Sequence, residues 1–97
     1  MVILLWNRIK NFCELYPAAS ESLLRWYLIA FEANWKDAHD LNRDFSFVDS
    51  AGNDRFVFNI NGNKFRLVAM IHFNTRTVYI RFIGSHQEYD QINCSIV

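Results

Sequence analysis

Arg55–Ile60, Asn63–Ile71 and Val78–Ile83 each carry apolar residues at every second position, and a period of two predicts three strands. Asn61-Gly62 lies between the first two, and Asn-Gly suits a two-residue hairpin because both central positions need positive φ. That turn would set Phe58 opposite Phe65, Phe56 opposite Leu67, Val57 opposite Arg66 and Asn59 opposite Lys64. A second turn around Asn74–Thr77, centred on Thr75-Arg76, would set Arg81 opposite Met70. Alternation then gathers Phe56, Phe58, Ile60, Phe65, Leu67, Ala69, Ile71, Phe73, Val78, Ile80 and Phe82 on one surface, a core face. The other surface holds Arg55, Asn59, Lys64, Arg66, His72, Tyr79 and Arg81 among Val57, Val68, Met70 and Ile83. A slip of one residue in either strand would mix the two sets.

The first half of the chain has a different period. Met1–Trp6 is an apolar run, too short to span a bilayer and without a preceding cationic segment, so it reads as a strand and not as a signal. Asn7 can cap a helix through about Tyr16, with Ile9, Phe12, Cys13 and Tyr16 on one stripe, and Pro17 ends it. A second helix, from Ser20 to about Ala33, places Leu23, Trp26, Tyr27, Ala30 and Phe31 on a wide apolar stripe. Trp35-Lys36 interrupts the pattern, Asp37 caps a short helix over Ala38–Asp44, and Leu41 and Phe45 face inward. Ser46–Asp54 reads as a loop, given Ser50-Ala51-Gly52-Asn53. The order implies an α+β fold: a small antiparallel sheet, made of the N-terminal strand plus a three-stranded meander, with two to three helices on its apolar face and the cationic face left open. All of 1–97 would form one domain.

Hydrophobic residues make up 52% of the chain, enough to fill a core and too many for a disordered tail. Net charge is zero, which by itself argues against non-specific nucleic-acid binding, but the charges are unevenly placed. Residues 1–54 carry five Lys/Arg against eight Asp/Glu, whereas residues 55–86 carry five Lys/Arg and no acid. That segregation is a footprint for an anionic partner, although solvated cations on an exposed sheet face would read the same way. Cys13 and Cys94 lie far apart and no zinc spacing occurs, so a reduced cytoplasm is the expected compartment, with no metal and no cofactor.

Gly84-Ser85-His86-Gln87-Glu88-Tyr89-Asp90 follows the last strand and places an imidazole and a phenol three residues apart, on one side of a helical turn. Phosphodiester cleavage through the ribose 2′-hydroxyl needs a base, cations for the charge developing on phosphate, and an acid for the leaving 5′-oxygen. Arginine suits the second task because its planar fork can bind phosphate oxygens in pairs. As residue types alone, His86 and Tyr89 are equally at home in packing or capping. His72 reads as a partly exposed sheet residue, His39 as solvated, and Trp26 and Trp35 as core or partner contacts. Glu88 and Asp90 read as solvent-facing or helix-end charges, since a carboxylate beside a phosphate would repel it.

Three blocks together, Trp35-Lys36, Val57–Ile60 with Gly62–Val68, and Tyr79–His86 with Glu88-Tyr89-Asp90, resemble the HigB toxins of type II toxin–antitoxin systems, within the RelE/ParE-like group. The resemblance implies helices packed on one face of a small sheet and a bacterial, ribosome-dependent mRNA interferase. It implies a HigA-type antitoxin with a helix-turn-helix domain as partner, with operator DNA bound only through that antitoxin. By matching positions, Arg66 and Arg81 would hold the scissile phosphate, Lys64 would assist, and His86 would transfer protons with Tyr89 as its partner. Arg55, Asn59, His72 and Tyr79 complete the expected RNA-contact set. The family usually has Thr where Ser85 stands, and many of its ribosome-dependent relatives are plainly basic, unlike this neutral chain. Two other readings fit the same architecture: a non-catalytic RNA- or protein-binding module, and a gyrase-poisoning ParE-like toxin.

Overall fold

A computed structural model describes residues 1–97. The elements are β1 (Val2–Leu4), α1 (Asn7–Leu15), a 3₁₀ turn over Pro17–Ala19, α2 (Ser20–Glu32), α3 (Ala38–Asp44), β2 (Val48–Gly52), β3 (Arg55–Ile60), β4 (Phe65–His72), β5 (Thr77–Ser85) and α4 (His86–Tyr89). The strands form one sheet in the order β1-β5-β4-β3-β2. The α+β class therefore stands, and the sheet is mixed because β1 runs parallel to β5. No helix is long and apolar enough to cross a membrane.

Ser46–Asp54 differs from its expected loop. Val48, Asp49 and Ser50 pair with Phe58, Val57 and Phe56 of β3 and form an edge strand. Local preference for a turn is confined to the end, where Gly52, Asn53 and Asp54 take φ of 82°, 51° and 63°. The β3 backbone supplies a partner that outweighs the weak strand propensity of Asp49 and Ser50.

Both hairpins are wider than the two-residue turns expected. Ile60 pairs with Phe65 and Phe58 with Leu67, so Asn61–Lys64 is a four-residue connection. Asn61 and Gly62 still take the positive φ anticipated, at 53° and 67°. Likewise Tyr79, not Arg81, pairs with Met70, and His72 pairs with Thr77. Each register moves by an even number of residues, which leaves the facial partition intact over most of the sheet.

It fails at one place. Ala69 pairs with Ile80 but Val68 pairs with Phe82, so Arg81 is the extra residue of a β-bulge. Beyond it the alternation reverses. Phe82 leaves the expected core face and lies over Gly84, while Ile83 packs against the core.

That core fills the space between the helices and the sheet. Leu23, Trp26 and Ala30 of α2 and Leu41 of α3 meet Phe58, Leu67, Ile71 and Ile80, all at most 2% exposed. Trp26 contacts Phe58 edge-on at 5.3 Å, and Phe45 meets the same ring at 5.0 Å. Trp35 donates its indole N–H to Asp44 Oδ2 at 2.7 Å, tying the segment before α3 to the last residue of that helix. Asp37 caps that helix by accepting from the Asp40 N–H at 3.2 Å, as its position predicts. Asn7, in contrast, lies inside α1, whose cap position is Trp6 with no side-chain bond. Tyr16 and Phe31 were expected in the buried stripes and are instead 44% and 58% exposed.

Candidate functional site

The sheet's second face is not left open. Val57 and Val68 are buried yet stand apart from the main core, and the chain after β5 folds back over them. Ser85 starts α4 with a reciprocal cap: its Oγ accepts from Glu88 N–H at 3.1 Å, and Glu88 Oε1 accepts from Ser85 N–H at 2.9 Å. This confirms Glu88 as a helix-end charge. His86 N–H donates to the Lys64 carbonyl at 3.1 Å, fastening the helix start to the β3–β4 connection.

Tyr89 then lies beneath the Arg66 guanidinium, whose carbon is 6.0 Å from the ring centre. Its hydroxyl donates to Cys94 Sγ at 3.5 Å. That hydrogen bond, together with burial and the nearby Cys94 and Asp49, pushes the phenol up to about 12 against the opposing pull of Arg66. Tyr89 therefore keeps its proton throughout the neutral range. His86 Nδ1 lies 3.1 Å from Asp90 Oδ2. A carboxylate at that nitrogen selects the tautomer with Nδ1 protonated and Nε2 free to accept. Asp90 is the residue that sequence reasoning set aside. Its signal was the i, i+4 spacing to His86, which one helical turn brings together.

Arg66 is steered toward the β3–β4 connection, with Nη1 donating to the Phe65 carbonyl at 3.2 Å and Nη2 reaching Asn63 Oδ1 at 3.4 Å. Asn59 Nδ2 approaches the same oxygen at 3.4 Å. Lys64, Arg66, His86, Tyr89 and Asn59 are thus brought to one end of the face.

Arg81 belongs to a different group. Its Nε donates to the Val97 carbonyl at 3.1 Å, and Arg55 donates to that same oxygen from Nε at 3.2 Å and Nη2 at 2.9 Å. Since β4 lies between β3 and β5, the shared oxygen sits above β4. Asn53 Nδ2 holds the segment further along through the Ser95 carbonyl at 2.9 Å. Residues 93–97 therefore form a strap over the middle of the face, and of the three guanidinium and imidazole groups expected to act together Arg81 is engaged by that strap, whereas Arg66 and His86 are held by Asn63 and Asp90. At the far end, His72 meets Tyr79 edge-on at 5.5 Å and lies 3.8 Å from Asp54 Oδ2. Arg76 is in the β4–β5 turn, bonded to Asn34, away from both groups. No three of the His, Cys, Asp and Glu side chains converge on one point as a metal site would require.

A small mixed sheet with helices packed on its apolar face is the architecture of a RelE-like toxin. The family model that matches residues 19–92 is described as HigB_toxin, RelE-like toxic component of a toxin-antitoxin system. The chain belongs to the HigB toxin family, and its biological counterpart is an antitoxin. It is 29% identical over 92 residues to the mRNA interferase toxin HigB of Escherichia coli K12, covering 93% of this chain and 88% of the relative. The mRNA interferase HigB of Shigella flexneri matches to the same extent. That of Escherichia coli O6:H1 is 25% identical over 79 residues, covering 79% and 77%.

Proposed function

We propose that this protein is an endoribonuclease that cleaves messenger RNA on the translating ribosome of a bacterial cytoplasm, by transesterification through the ribose 2′-hydroxyl. The observation that carries the reading is the convergence of Arg66, Tyr89 and the Asp90-held His86 at one end of the outer face. His86 Nε2 takes the proton of the 2′-hydroxyl as that oxygen bonds to phosphorus. The bond from phosphorus to the 5′-oxygen breaks, leaving a 2′,3′-cyclic phosphate. Tyr89, which holds its proton at neutral pH, turns its hydroxyl from Cys94 Sγ to the departing oxygen and supplies the proton there. Arg66 and Lys64 offset the charge that accumulates on the phosphate. Arg81 and Arg55, with Asn59, His72 and Tyr79, hold flanking RNA once the Val97 carbonyl gives up its donors. Asp90 acts through His86 and is a positioning residue.

The partner in this reading is a HigA-type helix-turn-helix antitoxin, and operator DNA is reached only through it. Induced expression tests the proposal. The parent should arrest growth and cut transcripts, His86→Ala and Arg66→Ala should not, and Arg81→Ala should retain part of the effect. Equal arrest by all four would show the assigned roles to be wrong. DNA damage without transcript cleavage would replace the reading with a gyrase-poisoning one.

A further inference from the structure

Beside Arg66, between the loop that precedes β2 and the β3–β4 connection, the surface opens into a cavity of about 330 Å³ lined chiefly by Phe45, Ser46, Phe47, Asn59 and Asn63. A second cavity of about 360 Å³ shares Phe45, Ser46, Asn59 and Gly62 with the first and reaches Trp26. Each is at the lower end of the size range of small-molecule sites. Three features of their walls are unusual in combination. Phe47 is 63% exposed, with a ring that stacks on no other aromatic side chain. Asn59 and Asn63 present side-chain amides, each a donor and an acceptor in one plane. The Trp26 indole N–H is buried and has no acceptor in the protein. Trp26 lines the second cavity, while its N–H is closed off from solvent.

We infer that this double cavity receives a nucleobase of single-stranded RNA, adjoining the phosphate held by Arg66. The inference rests on the endoribonuclease reading and adds the subsite that would set sequence preference. An exposed aromatic ring offers the stacking platform by which unpaired bases are held, and amides read their hydrogen-bonding edges. Trp26 forms part of the wall against which the base would pack. The link to the chemistry is Asn63 Oδ1, which both Asn59 and Arg66 approach at 3.4 Å. A base seated against the amides therefore fixes the position of the neighbouring phosphate relative to the arginine.

Nuclear magnetic resonance titration with a 2′-O-methyl trinucleotide tests this without cleavage. The chain has three tryptophans, hence three indole signals to follow. Binding should move the Trp26 indole signal and the Asn59 and Asn63 side-chain amides. Phe47→Ala should weaken binding by roughly 5- to 100-fold, the range for losing one base–aromatic stack. Phe47→Trp should preserve it, and replacing the seated nucleotide by an abasic one should erase the difference between parent and Phe47→Ala. Perturbations confined to other surfaces, no perturbation at millimolar trinucleotide, or equal affinity for parent and Phe47→Ala would overturn the inference. Growth arrest that disappears in His86→Ala would leave the endoribonuclease reading standing in any of those cases. Arrest that persists in His86→Ala would remove that reading while the titration still reports on the base site.

Discussion

Tyr89 is set apart from the other three tyrosines by what its hydroxyl touches. The bond to Cys94 and the burial around it favour the neutral phenol, so its folded value lies above the ordinary value of 10.0, at about 12. The stability gained from this is fully present below pH 10 and is lost as pH rises from there through about 12. Absorbance titration of tyrosinate should show a late step that Tyr89→Phe abolishes, and alkaline unfolding of the variant should lose its dependence in that window. Asp90 offers a second test at this scale. Asp90→Asn keeps the shape but weakens the hold on His86 Nδ1, so cleavage should fall roughly 10- to 100-fold through kcat with KM little changed, the size expected when an orienting partner is removed. Restoration of most activity by Asp90→Glu would separate positioning from fold. The place of Arg66 on the outer face was legible from the alternation, and His86 and Tyr89 were singled out by the family resemblance. Asp90 was not, because its charge argued against a phosphate site while its geometry serves the imidazole.

Within elements, the junction of β5 and α4 governs how the imidazole is presented. A Cβ added at Gly84 would lie 2.5 Å from Phe82 Cζ and 3.2 Å from Glu88 Cβ. Gly84→Ala should therefore displace the phenyl ring or push α4 outward, and activity should drop by more than stability, as measured by thermal unfolding beside cleavage. Ser85→Ala removes the hydroxyl arm of the reciprocal cap and should cost about 1 kcal/mol. Ser85→Thr, which restores the hydroxyl usual in the family, should leave stability within a few tenths of a kcal/mol. The helices and β3–β5 could be read from period and punctuation, since Asp37, Pro17 and Asn61-Gly62 act locally. β2 could not, because Val48–Gly52 becomes a strand only through β3. The bulge at Arg81 was hidden as well: Ile80-Arg81-Phe82 keeps the alternation, and only pairing with Val68 and Ala69 shows that one residue is extra.

For the molecule as a whole, eight of the ten acids fall in residues 1–54 while Arg55, Arg66 and Arg81 stand on the outer sheet face, so zero net charge coexists with an uneven distribution of charge. Arg66→Ala should reduce the slope of log affinity against log salt for single-stranded RNA by roughly 0.7, one released counterion. Leu67→Ala, deep beneath both layers, should instead cost about 2 to 5 kcal/mol of unfolding free energy through the hole it leaves. Sequence patterning foretold one packed side and one side bearing cations. It did not foretell the return of residues 93–97 across that second side, because Val97 is held there by distant guanidinium groups and by no motif of its own.

The supernumerary peptide unit at Arg81 lets a single strand change sides halfway along: Ile80 looks toward the helices, and Phe82 looks away. Deleting one residue there would put the remainder of β5 back in phase with its beginning, sending Phe82 inward and the start of α4 to the wrong surface. Length at this point is thus as binding as chemistry, and a shortened variant should still collapse around Leu23, Phe58 and Ile71 while being unable to assemble the imidazole with Arg66.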